Sequence, residues 1–144
     1  MIPLTSTNPA AAADFSPLWR EAQTIAVVGL SPKSDRPSNR VARYLLDQGF
    51  TVIPVNPGHA EILGQKCYDS LTAIGHPVDI VDIFRKSADV PPIVAEAIAI
   101  GAKTIWMQEG VVNDEAAALA QSHGLAVVMD RCLLKEHKRG QEQR

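Results

Sequence analysis

The residues best suited to bind a phosphate group lie between Gly29 and Arg40, in the segment GLSPKSDRPSNR. The hydroxyl groups of Ser31 and Ser38 can donate hydrogen bonds, and Lys33 is one of several nearby cations that could neutralise a phosphate. If a helix starts within this segment, its first backbone N–H groups and its dipole would strengthen the binding of an anion. A solvated loop that only caps a helix is the alternative, and composition alone does not decide between the two.

This segment lacks the patterns of two common nucleotide-binding loops. The dinucleotide pattern G-x-G-x-x-G would need glycines at positions 29, 31 and 34, and only Gly29 is present. The pattern G-x-x-x-x-G-K-[ST] is not formed either, because Lys33 and Ser34 lack the preceding glycines. We therefore do not expect ATP hydrolysis of the type that this second pattern supports.

Other catalytic patterns find little support in the chain. The segment GLSPK lacks the final glycine of a nucleophile elbow. Asp79 and Asp82 would point to opposite faces of a strand, so they do not form a carboxylate pair. Asp130, Cys132 and His137 suggest a thiol with a base, but a capped terminal helix with a buried thiol explains them more simply. Cys132 would meet a ligand thiol only if it borders the binding crevice. We expect no enzyme activity and no metal site.

Length and composition fit one globular domain: the chain has 144 residues, 46% of them hydrophobic and 21% charged. A net charge of −2 argues against general nucleic-acid binding but permits a local anion site. The N-terminal segment lacks the basic and apolar regions of a signal peptide, and no apolar run approaches the length of a membrane span. We expect a cytoplasmic protein with a flexible segment at residues 1–13 and a single domain at residues 14–144.

Five apolar, β-prone segments alternate with amphipathic helical segments along this domain. Strands are expected at residues 25–28, 51–55, 79–84, 104–107 and 126–129. They show no alternation of apolar and polar residues, which is typical of strands buried on both faces of a parallel sheet. We predict a Rossmann-like three-layer α/β/α fold whose five-stranded parallel sheet has the order 3-2-1-4-5. The ligand crevice of such a sheet lies at the carboxyl ends of its strands.

The second predicted strand ends in Val55-Asn56-Pro57. A nicotinamide dinucleotide site normally has a carboxylate near this point to bind the ribose hydroxyls. Without that carboxylate, a ligand phosphate close to the ribose is better tolerated, and His59 or Lys66 could approach it. A turn that only ends the strand is the alternative.

Several segments together resemble the coenzyme A-binding domain family. They are VVGLSPKSDRPSNRVARYLLDQGFTVIPVNP, ILGQKCYDSL, DIVDIFRKSADVP, WMQEGVVNDEA and GLAVVMDRCLLKEH. The resemblance extends from Ile25 to His137. Over this range the sequence is similar to small stand-alone coenzyme A-binding proteins and, more distantly, to the nucleotide-binding domain of the succinyl-CoA synthetase alpha subunit.

The resemblance implies where coenzyme A (CoA) would bind. The loop after the first strand would hold the phosphates, the turn after the second strand would lie near the adenosine, and the residues after the third and fourth strands would form walls along the pantetheine arm. For Arg85, a solvated surface charge is the alternative. The implied binding residues are Gly29, Leu30, Ser31, Lys33, Ser38, Asn39, Arg40, Val55, Asn56, Pro57, Lys66, Phe84, Arg85, Gln108, Glu109 and Gly110.

The resemblance does not imply ligase chemistry. In the synthetase, catalysis needs a further domain with a phosphorylated histidine and a partner subunit, and none of the four histidines here lies in a matching segment. The predicted function is binding of CoA or an acyl-CoA, with a homodimer or a protein partner also allowed and no nucleic-acid or membrane partner. The alternative is a small enzyme or redox sensor that uses an acyl-CoA or a nicotinamide dinucleotide, with Glu109 or Cys132 at the reacting end.

Overall fold

A parallel β-sheet forms the middle layer of the structure, a computed structural model that describes residues 14–142. The strands in chain order are β1 (Thr24–Val28), β2 (Thr51–Val55), β3 (Glu61–Ile62), β4 (Gln65–Lys66), β5 (Ile80–Ile83), β6 (Thr104–Met107) and β7 (Ala126–Val128). The short strands β3 and β4 form a separate antiparallel hairpin, and the other five make up the parallel sheet. The segment that we predict to be flexible, residues 1–13, lies outside the described residues.

Helices cover both faces of the parallel sheet. They are α1 (Ser16–Glu21), α2 (Pro37–Asp47), α3 (Val90–Ile100), α4 (Asp114–Ser122) and α5 (Leu133–Glu142). Helices α3 and α4 pack on the face that carries Val81 and Ile105, and α1, α2 and α5 pack on the face that carries Ile25 and Trp106. The predicted Rossmann-like α/β fold with five parallel strands is therefore confirmed. No helix within residues 14–142 is both long and apolar enough to cross a membrane.

The central strands are buried at every position, as expected for a sheet covered on both faces. Asp82 is the one ionisable residue in β5 and β6, and its carboxyl group is fully buried beside its register partners Val27 and Trp106. Neither of its oxygens has a hydrogen-bond partner among the described residues. Burial disfavours the charged carboxylate and so raises the pKa of Asp82 well above the ordinary value of 3.8.

The order of the strands differs from the prediction. Counting only the five strands of the parallel sheet, the order is 2-1-3-4-5, whereas we predicted 3-2-1-4-5. The outer edge of β2 is occupied by Tyr68, whose N–H donates to the Pro54 carbonyl at 3.0 Å and whose carbonyl accepts from the Asn56 N–H at 2.9 Å. Because that edge is covered, β5 pairs with the other side of β1.

Pro54 gives the physical reason why β2 lies at the edge. Proline has no N–H to donate, so a proline in a central strand would leave a gap in the hydrogen-bond ladder, and prolines are confined to edge strands. Pro54 lies opposite Val27 of β1, and only its carbonyl is used at the outer edge. The sequence therefore carried a signal against a central position for the second strand.

Asp79 fixes the start of β5 beside the start of β1. Its Oδ2 accepts hydrogen bonds from the N–H groups of Gln23 at 2.7 Å and Thr24 at 2.9 Å, and Lys103 Nζ lies 3.4 Å from its Oδ1. Burial alone would raise the pKa of Asp79, but the hydrogen bonds to Thr24 and Gln23 outweigh burial and lower it. The register that Asp79 sets brings the carboxyl ends of β1 and β5 level with each other.

Candidate ligand-binding site

A cleft of about 860 Å³ opens at the carboxyl ends of the strands. Its walls come from the start of α2, the loops that follow β5 and β6, and the start of α5. The chain leaves β1 for β2 on one side and reaches β5 on the other, so the cleft lies at the switch point where open α/β sheets bind ligands. The lining residues are Pro37, Arg40, Val41, Phe84, Arg85, Lys86, Asp89, Gln108, Glu109, Val111, Cys132, Leu134, Lys135 and Lys138.

Gly29 allows β1 and β5 to meet closely at the edge of this cleft. Its φ of +87° is in the left-handed region that favours glycine, and a Cβ at this position would lie 2.3 Å from the carbonyl oxygen of Phe84. The same Cβ would lie 3.2 Å from Nε of Arg85. The single glycine retained from the dinucleotide pattern is therefore required by the close approach of two backbones.

The loop after Gly29 is held in shape by the first turn of α2. The Ser38 hydroxyl oxygen accepts a hydrogen bond from the N–H of Ser31 at 3.0 Å, and the Asn39 amide donates to the Ser31 carbonyl at 2.9 Å. Ser38 and Asn39 are both buried. In this structure their role is to shape the loop, while Arg40, one residue further along, is exposed and reaches the cleft.

Asn56 connects the ends of three strands. Its amide donates to the Leu30 carbonyl at 2.9 Å, and its amide oxygen lies 3.4 Å from Nη2 of Arg85. Both ends of this side chain are therefore engaged with the protein at the position where a dinucleotide site would have a ribose-binding carboxylate.

The charge of the cleft is mainly positive although the whole chain carries a net charge of −2. Lys135 is hydrogen-bonded to both carboxylate oxygens of Glu109 at 3.1 Å, and this contact raises the pKa of Lys135. Because one pair is mutually neutralised, the remaining cations outnumber the remaining carboxylate, which favours an anionic ligand. The charged lining residues are Arg40, Arg85, Lys86, Lys135, Lys138, Asp89 and Glu109.

The cleft brings together five of the sixteen predicted binding residues, which are Arg40, Phe84, Arg85, Gln108 and Glu109. Four more do not line the cleft but contact the segments that form it. They are Gly29, Leu30, Ser31 and Asn56. Ser38 and Asn39 hold that loop in place.

The remaining predicted residues lie outside the lining of the cleft. Val55 is buried in the sheet, and Lys33 and Pro57 are exposed. Lys66 lies on β4 with its ammonium group 5.0 Å from the centre of the Tyr68 ring. The N–H of Gly110 donates to the Asp130 carboxylate at 2.7 Å, so this glycine links two loops.

The sequence did not predict the wall that α5 contributes. Leu134, Lys135 and Lys138 line the cleft because α5 returns across the sheet to lie beside α2, where the Lys138 ammonium group sits 5.5 Å from the centre of the Tyr44 ring. Cys132 also borders the cleft, which is the condition under which we expected it to meet a ligand thiol. The sequence indicated a terminal helix around Cys132 and His137, but it did not indicate the element against which this helix packs.

No metal site is evident in the part of the chain that the structure describes. Among residues 14–142, no three His, Cys, Asp or Glu side chains come together in a group that could hold a metal ion. The groups that line the cleft are cations, two carboxylates, the amide of Gln108, apolar side chains and the thiol of Cys132.

Similar proteins match this chain over most of its length. A family profile described as "CoA binding domain" matches residues 23–138. The uncharacterized protein YneT of Bacillus subtilis (strain 168) is 39% identical over 130 residues, which make up 90% of this chain and 96% of that protein. The solved structure of a hypothetical protein from Pyrococcus horikoshii OT3 is 39% identical with a TM-score of 0.85, over 93% of this chain and 96% of the other.

A longer relative matches only in part. The ADP-forming acetate–CoA ligase I of Archaeoglobus fulgidus is 30% identical over 121 residues, which make up 77% of this chain but 18% of the ligase. The similarity is thus confined to one segment of that enzyme.

Proposed function

Because this chain belongs to the family of CoA-binding domains, we propose that it binds coenzyme A or an acyl-CoA in the cleft between the ends of β1 and β5. The observation that carries the proposal is the cationic cleft at the switch point of the sheet, next to the loop that Gly29 begins. An adenosine nucleotide with several phosphates needs cations and free backbone N–H groups at this place.

The shape and lining of the cleft fit a ligand that is charged at one end and extended beyond it. Its volume of about 860 Å³ is within the range of sites for cofactor-sized molecules. Arg40 at the start of α2 is suited to a phosphate. Phe84, Val111 and Leu134 provide apolar surface for the less polar pantetheine arm.

A nicotinamide dinucleotide fits this site less well. Such a ligand needs a carboxylate after the second strand for its ribose hydroxyls, and Asn56 is present there instead. Because Asn56 is already bonded to Leu30 and close to Arg85, it has little capacity left to take over that role.

The proposed role is binding without ligase chemistry. The ligase relative performs its reaction as a much longer protein, of which this chain matches 18%. We further propose a cytoplasmic location, which agrees with the two free cysteines.

Isothermal titration calorimetry with CoA, dephospho-CoA, acetyl-CoA, NAD and NADP tests this function, together with an Arg40→Ala variant. CoA should bind to one site and NAD should not. Arg40 makes no side-chain hydrogen bond or ion pair within residues 14–142, so its replacement should leave stability unchanged. Loss of one charge-assisted contact to a phosphate should raise the Kd for CoA about tenfold, or about 1.4 kcal/mol.

The control is Arg20→Ala, which makes the same change of charge on α1, away from the cleft. It should leave the Kd for CoA within about twofold of the original value, because exposed charges that are far apart are screened by salt. Binding of NAD without detectable binding of CoA would overturn the proposed function. Equal effects of the two substitutions would show that the phosphates bind elsewhere.

A further inference from the structure

The thiol of Cys132 borders the cleft directly before the first turn of α5 and is half-buried. The only other cysteine of the chain, Cys67, is buried away from the cleft, and its thiol donates to the Asn56 carbonyl at 3.4 Å. The two thiols thus differ in access, and only Cys132 can meet a molecule held in the cleft.

Gln108 gives an independent indication that a ligand group belongs next to Cys132. This side chain is 5% exposed, and its amide oxygen accepts a hydrogen bond from the N–H of Leu133 at 3.1 Å. That bond fixes which end of the amide is the oxygen, so the NH₂ group faces the cleft. This NH₂ group has no acceptor within residues 14–142 and is not completely buried, so it is available to donate a hydrogen bond to a molecule held in the cleft.

The position of the cations indicates which end of the ligand reaches Cys132. Lys135, close to Cys132, is paired with Glu109, and the Lys138 ammonium group lies over the Tyr44 ring, whereas Arg40, next to the loop after β1, has no carboxylate partner within residues 14–142. Arg40 therefore marks the end of the cleft at which the phosphates of a ligand would bind. Gln108 and Cys132 follow β6 and β7, which lie further along the sheet on the far side of β5. A ligand with phosphates at one end therefore extends its other end towards the amide of Gln108 and the thiol of Cys132.

We propose that Cys132 is a site of thiol–disulfide exchange with the ligand, and that the substrate of this exchange is a disulfide of CoA. The inference rests on the proposed function, because CoA carries a thiol at the end opposite its phosphates. The NH₂ group of Gln108 positions the ligand by donating to a carbonyl near its thiol end.

The exchange needs no external oxidant. The thiolate of Cys132 attacks one sulfur of the CoA disulfide, and a new S–S bond forms to Cys132 as the original S–S bond breaks. The second CoA leaves as a thiolate and takes up the proton that Cys132 released. One disulfide and one thiol are converted into another disulfide and another thiol, so the electrons balance.

Intact-mass spectrometry of the full chain, incubated with CoA disulfide, tests this inference. We expect an adduct of one CoA moiety on Cys132, located by peptide mapping and absent from a Cys132→Ser variant. A Cys67→Ser variant should still form it. Because binding places the two sulfur atoms close together, the reaction should be at least ~10-fold faster than with glutathione disulfide at the same concentration. Acetyl-CoA, which has no free thiol, should slow it by competing for the cleft.

Gln108→Glu tests the positioning role of Gln108. This substitution keeps an oxygen acceptor for the N–H of Leu133 and replaces the NH₂ donor by a second oxygen. Because it places a carboxyl group at a position that is 5% exposed, urea unfolding is measured first, and the rate is compared with that of Gln108→Met, which removes the donor without adding a charge. We expect adduct formation to slow about tenfold, the effect of losing one hydrogen bond. An unchanged rate would overturn the assignment of this donor to the ligand.

The outcomes separate this inference from the function on which it rests. If calorimetry shows that CoA binds and no adduct forms, the exchange is wrong and the binding function stands. If the adduct forms on Cys67, or equally fast with glutathione disulfide, exchange directed by the cleft is overturned. If CoA neither binds nor reacts, the proposed function and the inference are both wrong.

Discussion

Replacing Gly29 by alanine is expected to destabilise the protein by about 3 kcal/mol or more and to remove CoA binding. The φ of +87° is unfavourable for any residue with a Cβ, and that Cβ would lie 2.3 Å from the carbonyl oxygen of Phe84. The backbone at the ends of β1 and β5 would have to separate, which would displace Arg85 and widen the cleft. Urea unfolding and calorimetry with CoA would measure the two effects.

Gly124→Ala is the matched control for this substitution. Gly124 has a φ of +83°, but nothing lies within 4 Å of the position where its Cβ would be. The Gly124→Ala variant should therefore be destabilised only by its backbone strain, by about 1 kcal/mol, and should bind CoA normally. If Gly29→Ala is no more destabilising than Gly124→Ala, the close approach of β1 and β5 is not a constraint on the fold.

Replacing Asp82 by valine is expected to stabilise the protein at neutral pH by about 2 to 4 kcal/mol. The carboxyl group is fully buried without a hydrogen-bond partner among the described residues, between positions occupied by Val27 and Trp106. A β-branched apolar residue suits such a position in a parallel strand and removes the unpaired polar group.

The pH dependence of stability should identify Asp82 as the cause. Its pKa in the folded protein is raised above the ordinary value of 3.8, so the folded state keeps a proton that the unfolded state releases. This contribution to stability is fully present below pH 3.8 and is lost as the pH rises towards the folded-state pKa. The slope in that window is about 1.4 kcal/mol per pH unit.

Asp82→Asn separates the titration from the packing. The amide has nearly the same shape as the carboxyl group but does not ionise, so this variant should lose the pH-dependent fall in stability without the full gain expected for valine. Urea unfolding at several pH values between about 4 and about 8 would compare the three proteins. Parallel pH profiles for the wild-type protein and Asp82→Asn would contradict a raised pKa.

The elements of the fold could be predicted because their signals are local. Apolar runs without alternation marked the five strands, and glycines such as Gly49 and Gly101 with positive φ closed the helices that precede β2 and β6. The lateral order of the strands was predicted wrongly, since hydrophobic patterns do not say which strands are neighbours. Pro54 was the one residue in β2 whose chemistry bears on that question, through its missing N–H.

The site could be predicted only in part, for a similar reason. Residues directly after strands, such as Arg85 and Gln108, were expected at the crevice because the carboxyl ends of parallel strands meet there. The wall formed by α5 depends on long-range contacts, including the hydrogen bond from Trp106 Nε1 to the Arg131 carbonyl at 2.8 Å and that between the Tyr44 hydroxyl and His137 at 2.6 Å. No short motif encodes such contacts.

A map of backbone amide chemical shifts during titration with CoA is the most direct test of the binding site, because it reports binding and location together. We expect shifts in four segments, Gly29–Arg40, Phe84–Asp89, Gln108–Val111 and Cys132–Lys138. No shifts with excess CoA, or shifts centred instead on the β3–β4 hairpin or on the surface depression around Tyr44, Gln48 and Gln141, would contradict it.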